Sequence, residues 1–291
     1  MGKSHMKVVI TGKGGQLAYE LEQLAPQGVE VISVGINEFD ITNEILVTEF
    51  LINTKPDLVI NAAAYTAVDK AEEDIDAAYA VNELGTKYLA NACKQINARI
   101  LHVSTDFVFD GTSSAPYQTS SEPNPINVYG ASKLAGELVL QEILPEASVI
   151  VRSAWVYSIN GNNFVKSMLC LMQEKQQLGI IYDQVGTPTW AKGLAQWLWT
   201  IADRPEVTGI HHWTDAGVAS WYDFAIAIQE LGVEKGLLKE AIPIFPISTS
   251  EYPTLAKRPE FSVIDKFSAE EVSGIKTTHW RKQLSEMLDS L

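Results

Sequence analysis

Short β-branched runs alternate with longer stretches of helical periodicity through the first half of the chain. Lys7–Thr11 reads as a strand, and Gln16–Leu24 as a helix that sets Leu17, Leu21 and Leu24 on one face. Val29–Val34 and Asp57–Ile60 read as further strands, Asp74–Ile96 as one long helix, and Arg99–Val103 as the next strand. Val128–Ile143 is helical again and Ser148–Val151 is a strand. Strands that follow one another only across a helix must run parallel, and their uninterrupted apolar character calls for cover on both faces. The expected fold is therefore α/β, a doubly wound parallel sheet. Beyond about residue 155 the regularity loosens. Trp190–Ala202, Trp221–Leu231 and Thr278–Leu291 keep helical patterns, whereas prolines gather between Pro243 and Pro259. The pattern divides the chain into residues 6–155 and a smaller C-terminal α/β unit, 156–291, with some segments returning to the sheet.

Composition narrows the function. The 291 residues are 46% hydrophobic and 20% charged, ample for a core. A formal charge of −14 and a pI near 4.8 repel phosphate backbones and anionic lipid, so neither nucleic acid nor membrane is expected as a partner. Two cysteines, Cys93 and Cys170, are too few for a disulfide framework and read as reduced thiols in or near the core. No histidine or cysteine spacing matches a metal site. Met1–His5 reads as a tag remnant ahead of Met6, and no apolar run approaches a membrane span, so the protein is expected in the cytoplasm.

Two motifs carry chemistry. Directly after the first strand comes Thr11-Gly12-Lys13-Gly14-Gly15-Gln16-Leu17-Ala18. Glycines there let the backbone turn tightly and approach a pyrophosphate, to which the following helix offers its N-terminal N–H groups. Between a strand and a helix, this is the start of a Rossmann-type dinucleotide site. The second motif is Tyr129 and Lys133, four residues apart and so on one helical face, following a strand that ends in Ser104-Thr105-Asp106. An ammonium near a phenol lowers its pKa and makes it a usable proton donor, and Thr105 can hydrogen-bond the reacting oxygen.

Together with Asn61-Ala62-Ala63-Ala64, these segments resemble the extended short-chain dehydrogenase/reductase superfamily. Within it, residues 12–21, 61–72, 102–111, 129–137, 183–189, 220–225 and 258–265 resemble the dTDP-4-dehydrorhamnose reductase family from about Met6 to the C-terminus. The resemblance implies reduction of the 4-keto group of a dTDP-6-deoxyhexulose, with Tyr129 as proton donor, Lys133 orienting the nicotinamide ribose and Thr105 steadying the carbonyl. It implies cofactor contacts at Gly15, Gln16, Leu17, Asp40, Ile41, Ala64, Tyr65, Thr66 and Val103, beside Gly12 of the turn. Sugar-nucleotide contacts are implied at Thr105, Asp106 and Trp155. Arg258 adds a guanidinium fork suited to a diphosphate. Asp40 reads equally well as a helix cap, Trp155 as core, and Arg258 as half of a structural ion pair.

Departures from the family bear on cofactor and metal. Gly35 stands where an acid is frequent at the end of the second strand, and no acid follows until Glu38. Without a carboxylate to repel a 2′-phosphate, and with Lys13 in the turn, NADPH is expected to be favoured over NADH. Some relatives hold Mg²⁺ through glutamates at a dimer interface; Glu20 matches one, but no partners for it are evident, so no metal site is assigned and monomer and homodimer stay open. Two other readings stand beside the reductase: another sugar-nucleotide reductase or epimerase of the superfamily, or a non-catalytic NADP-binding regulatory subunit.

Overall fold

Five strands of the N-terminal half, β1 (Lys7–Thr11), β2 (Glu30–Val34), β3 (Leu58–Asn61), β4 (Arg99–Thr105) and β5 (Ser148–Ser153), lie parallel in a computed structural model that describes residues 5–291. The first four residues of the leader read as a tag remnant lie outside the described residues. A sixth parallel strand, Gly209–His212, pairs with β5, so the sheet runs Gly209–His212, β5, β4, β3, β1, β2. The period-two alternation of each strand feeds two cores. Val8, Ile10, Leu58, Ile60, Leu101 and Val151 pack on one face against α1 (Gln16–Gln23) and the helix Ala191–Ala202. Val9, Val59, Ile100 and Ile150 pack on the other against α2 (Glu44–Thr54) and the helix Thr86–Ile96. With both faces buried, the middle positions of β1 and β3 are all apolar, which is why those runs look unbroken in sequence.

α2 escapes a pattern reading. Its apolar residues are spread over both faces, with Ile45 and Ile52 exposed opposite buried Val47 and Leu51, so no stripe announces it. Its N-cap is Asn43, whose side chain accepts from the Leu46 amide at 3.1 Å. Asp40 therefore does not cap it. The long helix expected over Asp74–Ile96 is also modified: Ile75–Tyr79 passes into a π-helical stretch, Ala80–Gly85, before Thr86–Ile96 resumes α geometry. Such wide turns recur at functional sites because they re-aim a side chain. Here the re-aimed residue is Asn82.

Beyond β5, helices Phe164–Glu174, Trp221–Glu234 and Trp280–Leu288 enclose a third core around Tyr157, Phe224, Ile228, Leu284 and Met287. Ser220 and Asp223 form a reciprocal capping box at the start of Trp221–Glu234. Cys93 is buried, but Cys170 lies on the exposed face of Phe164–Glu174 and donates to Glu174 at 3.4 Å, correcting the expectation that both thiols sit in or near the core.

The chain connection reverses between β1 and β3, because β2 lies outside β1 and β3 inside it. Backbones diverge at such a point, and open α/β sheets bind ligands in the resulting crevice. Thr11 and Asn61 end the two strands there, joined by a 2.7 Å hydrogen bond from the Thr11 hydroxyl to the Asn61 side-chain Oδ1.

Candidate functional site

The glycine turn occupies this crevice. Gly12 adopts φ +81°, and a Cβ on it would stand 2.8 Å from the Ala62 carbonyl oxygen, so no other residue fits. Gly14 has φ +87° and faces open space. Gly15 precedes α1 as its N-cap with no side-chain cap, and the first turn carries no acidic residue. The free N–H groups of Gln16 and Leu17 are thus left for an anion, which the helix dipole favours. These residues fit a dinucleotide pyrophosphate. Across the turn, Asn160 donates to the Gly14 carbonyl at 3.2 Å and Asn163 to Gln16 Oε1 at 3.0 Å, so the loop after Tyr157 clasps it from the far side.

At the C-terminal end of β4 the reacting groups gather. The helix Val128–Ile143 starts against the turn Asp106–Val108: Gly130 lies so close that a Cβ would meet the Phe107 carbonyl at 2.1 Å. Asn127 caps this helix through the Gly130 amide at 2.7 Å. The approach brings the Tyr129 ring edge-on to Phe107, centroids 5.8 Å apart, with its hydroxyl beside Thr105. Burial pushes the Tyr129 phenol up to about 12, against the opposing pull of the Thr105 hydrogen bond. Lys133, one turn on, is buried and donates to the Val103 carbonyl at 2.7 Å. Burial brings its ammonium down to about 8 while Glu137 works the other way. In this geometry burial outweighs any lowering of the Tyr129 pKa by Lys133, whose ammonium is hydrogen-bonded to β4. Tyr129 keeps its proton at neutral pH, the state a donor requires.

Asp106 lies against the same hydroxyls. The Thr105 hydroxyl donates to its Oδ1 at 3.1 Å, whereas Oδ2 is buried without a partner. Burial raises this carboxyl to about 7, with the neighbouring Ser262 and Thr105 hydroxyls opposing. Beneath Lys133, Glu137 and Arg152 form a buried bidentate pair, 2.9 Å from Nε to Oε1 and 2.6 Å from the other guanidinium branch to Oε2, with Ser104 donating to the same carboxylate.

Other implied positions fall around this centre. Tyr65 is held by Asn82, which accepts from the Tyr65 amide at 2.9 Å and donates to its carbonyl at 3.1 Å and to Ser132 at 2.9 Å. This fixes Ala64-Tyr65, with exposed Thr66 next in line, against the Tyr129 helix. Sequence spacing shows Asn82 only as a helix-face amide; the π turn is what aims it. Ile41 is buried and packs on Gly85, and Asp40 closes a turn onto the Thr42 amide and hydroxyl at 2.9 and 2.8 Å. Trp155 takes φ +48° and stacks on Trp221 at 3.6 Å, part of the C-terminal core on one side. A bulky residue in the left-handed region is strained, and strain of this kind gathers at ligand sites. Arg258 is engaged by Asp69 through two bonds of 3.0 and 2.8 Å.

Glu20 is buried and accepts from Ser158 at 2.7 Å, and among the described residues no group of three or more His, Cys, Asp or Glu could hold a metal ion. Glu38 folds back over the end of β2: its Oε2 is 3.6 Å from where a Gly35 Cβ would stand, and its Oε1 is 3.7 Å from Lys13 Nζ. The expectation that no carboxylate stands here to repel a 2′-phosphate is therefore corrected.

The model of the family described as RmlD substrate binding domain matches residues 6–291. A dTDP-4-dehydrorhamnose reductase from Aggregatibacter actinomycetemcomitans is 41% identical over 288 residues, 97% of this chain and 98% of the relative. The crystal structure of a dTDP-4-dehydrorhamnose reductase from Clostridium acetobutylicum ATCC 824 superposes with a TM-score of 0.92 at 41% identity, covering 98% of this chain and 99% of that one. That of the enzyme from Bacillus anthracis strain Ames, in complex with NADP, gives 0.93 at 31% identity over 99% and 100%.

Proposed function

The chain belongs to the RmlD substrate binding domain family, and we propose that it reduces the 4-keto group of dTDP-4-dehydro-L-rhamnose to give dTDP-L-rhamnose. It is an oxidoreductase of the dTDP-4-dehydrorhamnose reductase type, serving nucleotide-sugar biosynthesis. Residues 6–155 bind the dinucleotide and 156–291 mainly the sugar nucleotide, although Gly209–His212 belongs to the sheet. Among the described residues no helix is long and apolar enough to cross a membrane, and the proposed place of action is the cytoplasm.

The observation that carries this reading is the meeting of Tyr129, Lys133 and Thr105 at the end of β4, in the same crevice as a glycine turn with an open helix N-terminus. A bound reduced nicotinamide would supply the hydride for the carbonyl carbon. Gly12, Gly15, Gln16 and Leu17 would hold the pyrophosphate, Asp40 and Ile41 would bind on the adenosine side, and Ala64, Tyr65, Thr66 and Val103 on the nicotinamide side. Tyr129 gives its phenolic proton to the carbonyl oxygen; an alkoxide is more basic than a phenolate, so the transfer runs downhill even from a phenol near 12. Thr105 steadies the same oxygen, and the Lys133 ammonium supports the phenolate until it regains a proton from solvent. Asp106, Trp155 and Arg258 position the sugar nucleotide, with Asp69 presenting the guanidinium. NADPH is favoured over NADH on the strength of Lys13 beside the strand end, with Glu38 tempering that preference.

The test is to mix the protein with NADPH and dTDP-4-dehydro-L-rhamnose and follow absorbance of the reduced nicotinamide while identifying the sugar. One NADPH consumed for each dTDP-L-rhamnose formed is the expected result. Conversion of sugar without net consumption would instead mark an epimerase, and the absence of conversion a regulatory subunit.

A further inference from the structure

Cofactor choice in a parallel sheet of this kind is made where the second strand ends, because the adenosine ribose lies there. In this chain that point is spliced to the glycine turn: the Lys13 amide donates to the Val34 carbonyl at 3.0 Å, and the Phe39 amide to the Gly35 carbonyl at 2.8 Å. The second bond closes residues 35–39 into a single turn, which carries Glu38 back over Gly35. Glycine leaves open the space that a side chain at 35 would fill, and the Glu38 carboxylate reaches its edge, with Lys13 Cβ 3.6 Å from the same point. The ammonium and the carboxylate then lie 3.7 Å apart, with each side chain about half exposed (54% and 51%). Both are open to an arriving ligand, and neither is held by burial.

We infer that Lys13 and Glu38 form a paired charge gate for the adenosine ribose, Lys13 attracting a 2′-phosphate and Glu38 accepting from a 2′-hydroxyl. The two groups bind opposite forms of the cofactor and restrain each other. A 2′-phosphate must draw Lys13 from Glu38 and meets the carboxylate's repulsion, whereas a 2′-hydroxyl finds an acceptor without disturbing the pair. Glu38 thus supplies from a turn what an acid in the strand supplies elsewhere, and the pair narrows the preference for NADPH without abolishing use of NADH. The inference rests on the proposed placement of a dinucleotide on the glycine turn.

Direct binding tests it without turnover. Dissociation constants of NADPH and NADH are measured by calorimetry or cofactor fluorescence for the wild type, Glu38→Gln and Lys13→Ala. Glu38→Gln should move the ratio of the two constants about tenfold toward NADPH, and Lys13→Ala about tenfold toward NADH, the size of one half-exposed charge interaction. Both displacements should shrink in about 0.5 M salt, since the charges are open to screening. A ratio unchanged in both variants overturns the gate, and so does an equal loss of both cofactors in Glu38→Gln, which would make the pair a strut for the glycine turn. Failure of the wild type to bind either cofactor would overturn the placement on which the gate depends.

Discussion

Replacing Glu137 by Gln should separate two roles that the buried Arg152–Glu137 pair performs at once. The carboxylate neutralises Arg152 in a setting where both side chains are nearly inaccessible, and it lies one helical turn from Lys133, on which it acts to retain the proton. Its removal leaves a buried guanidinium without a counter-charge, a loss of about 3–5 kcal/mol. It also withdraws a negative charge from Lys133. Charges roughly 6 Å apart at an effective dielectric near 20 interact by about 3 kcal/mol, or about two pKa units. Lys133 lies at about 8 in the native chain, so in Glu137→Gln its proton should leave at roughly 6–7. Because the ammonium supports the phenolate left on Tyr129, activity requires Lys133 charged, and the falling limb of the kcat/KM profile should move down with it. Denaturant unfolding gives the first quantity and steady-state pH profiles the second. Replacing both partners by apolar residues of similar volume, Glu137→Leu with Arg152→Met, should restore most of the stability and keep the displaced limb. A folded Glu137→Gln enzyme whose limb stays within about 0.3 units of the wild type's would refute the electrostatic account of Lys133.

Three further outcomes are expected. Tyr129→Phe removes the donated proton and keeps the ring, so turnover should fall roughly 10²–10⁴-fold with NADPH affinity nearly unchanged; a variant retaining a third of wild-type turnover excludes Tyr129 as donor. Arg258→Lys loses the fork that Asp69 now holds, so dTDP binding by calorimetry should weaken about tenfold while NADPH binding is kept, and an unaltered dTDP affinity removes Arg258 from the site. Asp215 is buried and raised to about 8 from an ordinary carboxyl value. A carboxyl raised on folding is stabilising while protonated in both states, and the stability drains away as pH climbs from about 4 through 8. Asp215→Asn has no such slope, so its melting temperature relative to wild type should rise between about pH 5.5 and 8.5; a flat difference contradicts the assignment.

The sheet was readable because a strand buried on both faces announces itself as a β-branched run, and the glycine turn because three constraints fall within a few consecutive residues. α2 was not, and the reason is physical: a helix with apolar residues exposed as well as buried has no stripe for periodicity to find. Tyr129 and Lys133 could be paired from spacing alone, since four residues make one helical turn. Their relation could not. Spacing places an ammonium near a phenol, but it does not reveal that the Val103 carbonyl, arriving from another strand, claims that ammonium.

The same limit explains which site residues went unread. Asn82 is an ordinary amide until a π turn directs it to Tyr65 and Ser132, contacts 17 and 50 residues away. Ser158, Asn160 and Asn163 are loop residues by type, yet they reach Glu20, Gly14 and Gln16 across more than 130 positions. Glu38 is the first acid after the strand, three residues beyond Gly35. Distance along the chain was the wrong measure there. A closed turn brings its fourth residue back over its first, so a glycine followed by an acid three positions on can present a carboxylate at the strand end as effectively as an acid in the strand itself. The sequence carries that signal in the pairing of Gly35 with Glu38, because the absent side chain at 35 leaves the space that the carboxylate borders.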